Sequence, residues 1–211
     1  MSEQLATGGR KAKAAETETA LKAAACRVFA RQGYLNTKIT DITAEAGRAA
    51  GSFYNHFNGK EELLKALLKD MLEAGDEAVF EPGSRHSSDF TDRAAVRWHV
   101  AAFWQFFRTN MVVLTALRQA SLVNAEFGAQ LQELMTDDQN HMSSHLEFIT
   151  RAGRQLPGST DLTLAAMSSL LDAFSLRWQM SDGKPTGRAV SDDEVIETLT
   201  AFLFRALNGS D

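Results

Sequence analysis

The fold turns on Ile39–Phe57, I-T-D-I-T-A-E-A-G-R-A-A-G-S-F-Y-N-H-F, followed at once by N-G-K-E-E-L-L at 58–64. Ile42 and Ala46 share one face of a short helix, and Gly47 closes it, because a residue without Cβ adopts the left-handed backbone of a helix end. A second short helix is expected from about Ala50 to His56. It offers Phe53 and Phe57, one turn apart, to a core, and leaves Gly51, Ser52, Asn55 and the tip of Tyr54 facing outward. Two helices of about two turns each around a glycine-centred turn form a helix-turn-helix, whose second helix has the dimensions to enter a DNA major groove.

Upstream, Leu21, Ala24, Ala25, Val28 and Phe29 recur at helical spacing, so a supporting helix is expected over Glu16–Gln32, ending at Gly33. Thr37 is the expected cap of the next helix. A fourth helix should begin at Lys60 and carry Leu63, Leu64, Leu67, Leu68, Met71 and Leu72 toward Phe80, leaving the head for the rest of the chain.

Phe29, Gly33-Tyr34, Thr37, Ile42, Ala46-Gly47, Gly51, Phe53-Tyr54, His56-Phe57 and Lys60-Glu61 stand in the order and spacing of one known family. On these residues the chain resembles the DNA-binding end of the TetR (tetracycline-repressor-like) regulators. The remainder resembles that family only in length and helix content. The resemblance implies an all-α chain with an N-terminal three-helix DNA-binding domain and a C-terminal helical ligand-binding and dimerisation domain. It also implies phosphate contacts from Thr37, Thr40, Tyr54, His56 and Lys60. Packing against the first helix is the competing role for Tyr54 and His56.

Base reading falls to Ser52 and Asn55, with Gly51 allowing close backbone approach; an asparagine pairs with both N6 and N7 of adenine. The sequence departs from its relatives at Arg48 and Ala49, where the family has an apolar residue and then a Ser or Thr cap. Arg48 is expected to lay its stem on the core and send its guanidinium to DNA.

The net charge of −5 conceals an asymmetry: residues 1–60 hold nine Lys/Arg against five Asp/Glu, and the remainder 13 against 22. A basic head on an acidic body suits a nucleic-acid reader. Residues 1–15 read as a flexible basic arm, with Arg10, Lys11 and Lys13 either lying along DNA or merely solubilising the chain. Domains of 16–60 (head) and 61–211 (effector binding and dimerisation) follow. Hydrophobic residues at 44% and charged residues at 23% are the proportions of a soluble protein. No apolar run of membrane-spanning length and no signal segment is read, so the expected location is cytoplasmic, without membrane partners. The single cysteine, Cys26, excludes an internal disulfide and is expected to pack inertly.

Beyond the head, 81–88 is a turn-rich break, and all three prolines fall in such breaks. Helices are expected over Phe90–Asn110, buried on every side, and then over Met111–Leu122, Ala125–Arg154, Thr160–Met180 and Asp192–Leu207, about nine in all. The resemblance places dimerisation on the last two. Their apolar positions include Leu162, Leu170, Phe174, Val195, Leu199, Phe202 and Leu203. It also places a small-molecule pocket among the central helices, whose ligand shifts the fourth helix. Trp98, Phe103, Trp104, Phe107, Met111, Leu131, Met135, Met142, Phe174 and Trp178 are candidate walls, and Asp138 and His145 candidate polar anchors, against plain core packing. That composition favours a hydrophobic or aromatic effector. His141 and His145 stand one turn apart, but without cysteine partners or a motif no metal site is assigned, and no cofactor is expected.

The sequence thus reads as a dimeric, ligand-responsive transcription regulator, most simply a repressor, that binds a near-palindromic operator in double-stranded DNA and is released by a small effector. No catalytic motif appears, so it is not read as an enzyme. The alternative is a helical ligand-binding or protein-interaction module with a degenerate head.

Overall fold

In the computed structural model the backbone is described for residues 2–80 and 86–209, and side chains for 11–75, 86–134 and 142–209. The described residues form eight helices and no strand: α1 Ser2–Asn36, α2 Ile39–Glu45, α3 Ala50–Tyr54, α4 Lys60–Phe80, α5 Arg93–Val123, α6 Ala125–Arg151, α7 Thr160–Met180 and α8 Asp192–Asn208. The all-α expectation is borne out. α1 is two helical pieces merged across a bend at Gly33, where φ is 75°. The expected end of the first helix is therefore correct.

Three expectations need correction. Residues 1–15 were expected as a flexible arm, yet the helical backbone begins at Ser2; Lys11–Glu16 is rich in strong helix formers, so extending α1 backward costs little. Met111–Leu122 is not a separate helix. α5 runs unbroken through Asn110, because no glycine or proline interrupts it. Nor is α5 buried all round: Gln105, Arg108 and Arg118 are exposed and Phe103 and Phe106 half-buried, while Val96, Val100, Trp104, Phe107, Val113 and Leu117 are buried. By length and composition α5 could cross a membrane, and 33% of its apolar window is buried inside the protein.

The chain divides into two compact units, Met1–Asp76 with Asn110–Leu131, and Glu77–Thr109 with Gln132–Asp211. The head is thus larger than residues 16–60, taking in most of α4 and the middle of the α5–α6 hairpin. In the first unit Leu21, Val28, Ile42, Phe53, Leu63, Leu64 and Leu68 are almost wholly buried. At about 1.5–3 kcal/mol for each large apolar side chain removed from water, these positions carry the head's stability. Tyr34 joins its parts: its N–H donates to Gln119 Oε1 at 2.9 Å, and its hydroxyl donates to Glu61 at 2.7 Å. Burial and that carboxylate push the phenol pKa well above its usual value.

The second unit is cored by Phe90, Trp104, Phe107, Leu146, Ile149 and the α8 stripe Val195, Leu199, Leu203 and Leu207. α8 opens on Ser191, whose hydroxyl accepts the Glu194 N–H at 3.2 Å, and its first turn holds Asp192, Asp193 and Glu194 against the helix dipole. Arg93 and Arg97 both reach Glu197, at 2.8 and 2.5 Å, tying α5 to α8.

Candidate nucleic-acid interface

The turn between α2 and α3 closes as the sequence requires. Gly47 takes φ 63°, the Gly47 N–H donates to Ala44 O at 3.1 Å, and the Arg48 N–H reaches back to Thr43 O at 2.9 Å. This pair of bonds satisfies carbonyls left open at the end of α2. α3 is shorter than expected, stopping at Tyr54 with Asn55 as its last, still helical, cap. Its start lacks a side-chain cap because Ala49 has no oxygen to offer.

The exposed surface of this motif holds Thr40, Gly51, Tyr54 and Asn55, with Ser52 half-buried. Tyr54 is 59% exposed although its ring edge rests on Phe53. A Cβ built on Gly51 would meet nothing within 4 Å, so the backbone there is open to a close neighbour. Phe53 and Phe57, with ring centroids 5.5 Å apart, anchor the other side.

Four of the expected contacts point elsewhere. Thr37 is neither a cap nor exposed: it is buried and its hydroxyl donates to Gly33 O at 2.7 Å, while Lys38 takes the cap position with its N–H on Asp41 Oδ2 at 2.9 Å. Lys60 donates from Nζ to Tyr34 O and Thr37 O at 2.9 and 2.6 Å and lies 4.2 Å from the Tyr34 ring centre. Desolvation lowers its pKa. Arg48 pairs with Glu16 of α1 at 3.1 Å, its Nε buried and unpartnered. His56 keeps only 13% of its side-chain surface and faces Glu18 at 3.9 Å, which matches the alternative of packing against the first helix.

The basic charge is likewise partly consumed within the head. Glu45 accepts from Arg27 and Arg31 at 2.6 and 2.9 Å, which holds its carboxyl below the ordinary range, and Lys22 sits between Glu18 and Asp70. Lys11, Lys13 and Lys38 are exposed. Lys38 was not singled out from the sequence, although its place at the start of α2 was a signal.

In the second unit Trp104 lies between Phe107, Phe174 and Trp178, at ring distances of 5.4, 6.1 and 5.3 Å, with the Arg108 guanidinium 4.4 Å from the Trp178 ring. The buried indole nitrogens of Trp104 and Trp178 and the Ser175 hydroxyl have no hydrogen-bond partner within the protein. His145 is buried beside Phe90, and Trp98, Phe103 and Met142 are half-buried. Met111 and Leu131 belong to the first unit, and the side chains of Met135, Asp138 and His141 lie outside the described residues. Of the expected dimer positions, Leu162 and Phe202 are 64% and 65% exposed and Leu170 and Phe174 half-buried. Val195, Leu199 and Leu203 are instead buried in the chain's own core, so they cannot form a surface for a second copy.

Residues 21–67 match the family model described as bacterial regulatory proteins, tetR family. The HTH-type transcriptional regulator TtgR of Pseudomonas putida is 28% identical over 179 residues, 80% of this chain and 82% of that protein. The HTH-type transcriptional regulator EthR of Mycolicibacterium smegmatis is 23% identical over 199 residues, 92% and 88% of the two chains. Among solved structures, the fatty acid degradation regulator FadR from Bacillus halodurans shares the fold with a TM-score of 0.70, at 20% identity over 92% of this chain and 95% of that one. FadR from Bacillus subtilis, in complex with stearoyl-CoA, does so with a TM-score of 0.67, at 20% identity over 90% and 97%.

Proposed function

From a chain that carries the tetR-family DNA-binding helix-turn-helix at residues 21–67, we infer a cytoplasmic homodimeric repressor that binds a near-palindromic operator and is released by a small hydrophobic effector. The observation that carries the reading is the exposed row Thr40, Gly51, Tyr54 and Asn55, with half-buried Ser52 among them, on a phenylalanine-anchored motif. Tyr54 and Thr40 supply phosphate hydroxyls, and Asn55 and Ser52 meet base edges. A single α3 of five residues touches few base pairs, so two heads related by a twofold axis are needed, their half-sites spaced by whole DNA turns. Leu162 on α7 and Phe202 on α8 are the apolar side chains a second copy would cover. Because Arg48 and His56 are engaged with Glu16 and Glu18, DNA contact from either requires those partners to be exchanged for phosphate.

For the effector, the support is the aromatic cluster of Trp104, Phe107, Phe174 and Trp178, whose two indole N–H groups are buried without a protein acceptor. Buried polar groups left unpaired are costly, and a ligand with one or two acceptors on an apolar body would satisfy them. The stearoyl-CoA bound by the Bacillus subtilis neighbour makes an acyl thioester the first compound to try. Release requires only that the ligand prefer the non-binding conformation, by about 5.5 kcal/mol for a nearly complete switch.

The deciding experiment is retention of DNA by the purified full-length protein. It should shift a fragment from its own upstream region and select a palindrome from random duplexes, with log affinity falling linearly in log salt. Failure to retain any duplex at low salt sinks the regulator reading and leaves the helical ligand-binding module.

A further inference from the structure

Three histidines from three separate segments meet in the second unit: His86 ahead of α5, His99 on α5 and His145 on α6. One ring nitrogen from each lies within 4.8 Å of the others. The contact between His86 and His145 is Nε2 to Nε2, at 3.5 Å. His99 has its Nδ1 on the Ala95 carbonyl at 2.9 Å, one turn back along α5. A carbonyl can only accept, so Nδ1 carries the proton and Nε2 keeps the lone pair. On His145 it is again Nδ1 that is turned away, toward the Ser144 hydroxyl at 3.4 Å.

Plain aromatic packing would bring three imidazoles together without sorting their nitrogens. Here His86 and His145 turn Nε2 toward each other, and His99 and His145 hold Nδ1 on partners outside the cluster, which is how metal-bound histidines are oriented by their outer partners. Phe90 and Trp98 wall the cluster, with Phe90 4.9 Å from His99 and 5.1 Å from His145 and Trp98 5.1 Å from His86 and 5.0 Å from His99.

The geometry points to a divalent transition-metal site, Zn2+ in the first instance, formed by His86, His99 and His145. Zn–N bonds of about 2.0–2.1 Å in a tetrahedron separate the ligand nitrogens by roughly 3.3–3.4 Å. The His86–His145 pair, at 3.5 Å, is already near that spacing, and the His99 nitrogen lies within 4.8 Å of both. Imidazole donors suit Zn2+, Ni2+ and Cu2+ and not the hard oxygen-seeking Mg2+ or Ca2+. Three protein ligands leave a fourth position for water or an anion, so the site can be exchangeable. Bound metal would clamp the segment before α5 to α5 and α6. None of this depends on the reading of the DNA-binding head.

The test uses full-length protein stripped by a chelator and dialysed. Co2+ should bind at one equivalent per chain with the visible bands of a tetrahedral nitrogen-ligated ion, and Zn2+ should displace it. Saturating Zn2+ should raise the Tm of the wild type, because a ligand held only by the folded state stabilises it. His86→Ala, at the exposed end of the cluster, should keep the helical circular dichroism and metal-free Tm of the wild type yet bind Zn2+ at least tenfold more weakly. His99→Gln should also lose the Co2+ bands. Absence of stoichiometric Co2+ or Zn2+ binding overturns the proposal, as does equal Zn2+ affinity in the wild type and His86→Ala.

Discussion

The ammonium of Lys60 is bonded to the carbonyl of Thr37, 2.6 Å away, and to that of Tyr34. It therefore pins the corner between α1 and α2 from the start of α4. Lys60→Met keeps the stem and removes both donors, leaving two part-buried carbonyls without them. The expected loss is about 1–3 kcal/mol in urea unfolding. DNA binding should weaken equally for all sequences, with the slope of log affinity against log salt unchanged. A slope smaller by about one in Lys60→Met would show instead that the ammonium neutralises a phosphate.

Asn55 and Tyr54 are neighbours with different assignments. Asn55→Ala should flatten base preference at one operator position, costing about 1–3 kcal/mol there and little elsewhere. Tyr54→Phe should weaken every duplex alike. Both side chains are exposed, so neither change should move the Tm. Selection from random duplexes checks the pair: identical sequence profiles for wild type and Asn55→Ala would remove Asn55 as a reader.

The motif was legible because its determinants are local. Gly33 and Gly47 stop helices by backbone conformation, and Phe53 and Phe57 point inward by helical spacing alone. What stayed hidden depends on partners distant in sequence. Nothing near Arg48, His56 or Lys60 announces Glu16, Glu18 or the Tyr34 carbonyl as the group each one meets. The α8 stripe illustrates a second limit: periodicity marks Val195, Leu199, Leu203 and Leu207 as buried without saying whether the subunit or a second copy buries them. His145 stood out as a polar residue on an apolar face, whereas its companions His86 and His99 lie on other segments and carry no spacing signal.

Phe202 and Leu203 are adjacent on α8, one 65% exposed and the other 3%. Their substitution should therefore separate assembly from folding. Phe202→Glu is expected to yield monomers in sedimentation velocity, with secondary structure unchanged and operator affinity sharply reduced. Leu203→Ala should instead cost about 2–5 kcal/mol of stability through the cavity it leaves. If Phe202→Glu remains dimeric, the interface lies elsewhere than on this face of α8.

Ala49 begins α3 in the extended conformation of an N-cap, φ −69° and ψ 149°, and is exposed, yet it has no side-chain oxygen. The Ser52 N–H already donates to the Ala49 carbonyl at 2.9 Å. A serine hydroxyl at position 49 can reach the Gly51 or Ser52 N–H without moving the backbone. Ala49→Ser should then stabilise the head by about 0.5–2 kcal/mol, the ordinary worth of a cap. α3 has only five residues, so this single change acts on most of its length. Slower hydrogen exchange at Phe53 and Tyr54 should accompany the gain, and operator affinity should rise because less ordering remains to be done on binding. Unchanged exchange in Ala49→Ser would mean that Phe53 and Phe57 packing already fixes α3, leaving the missing cap without consequence.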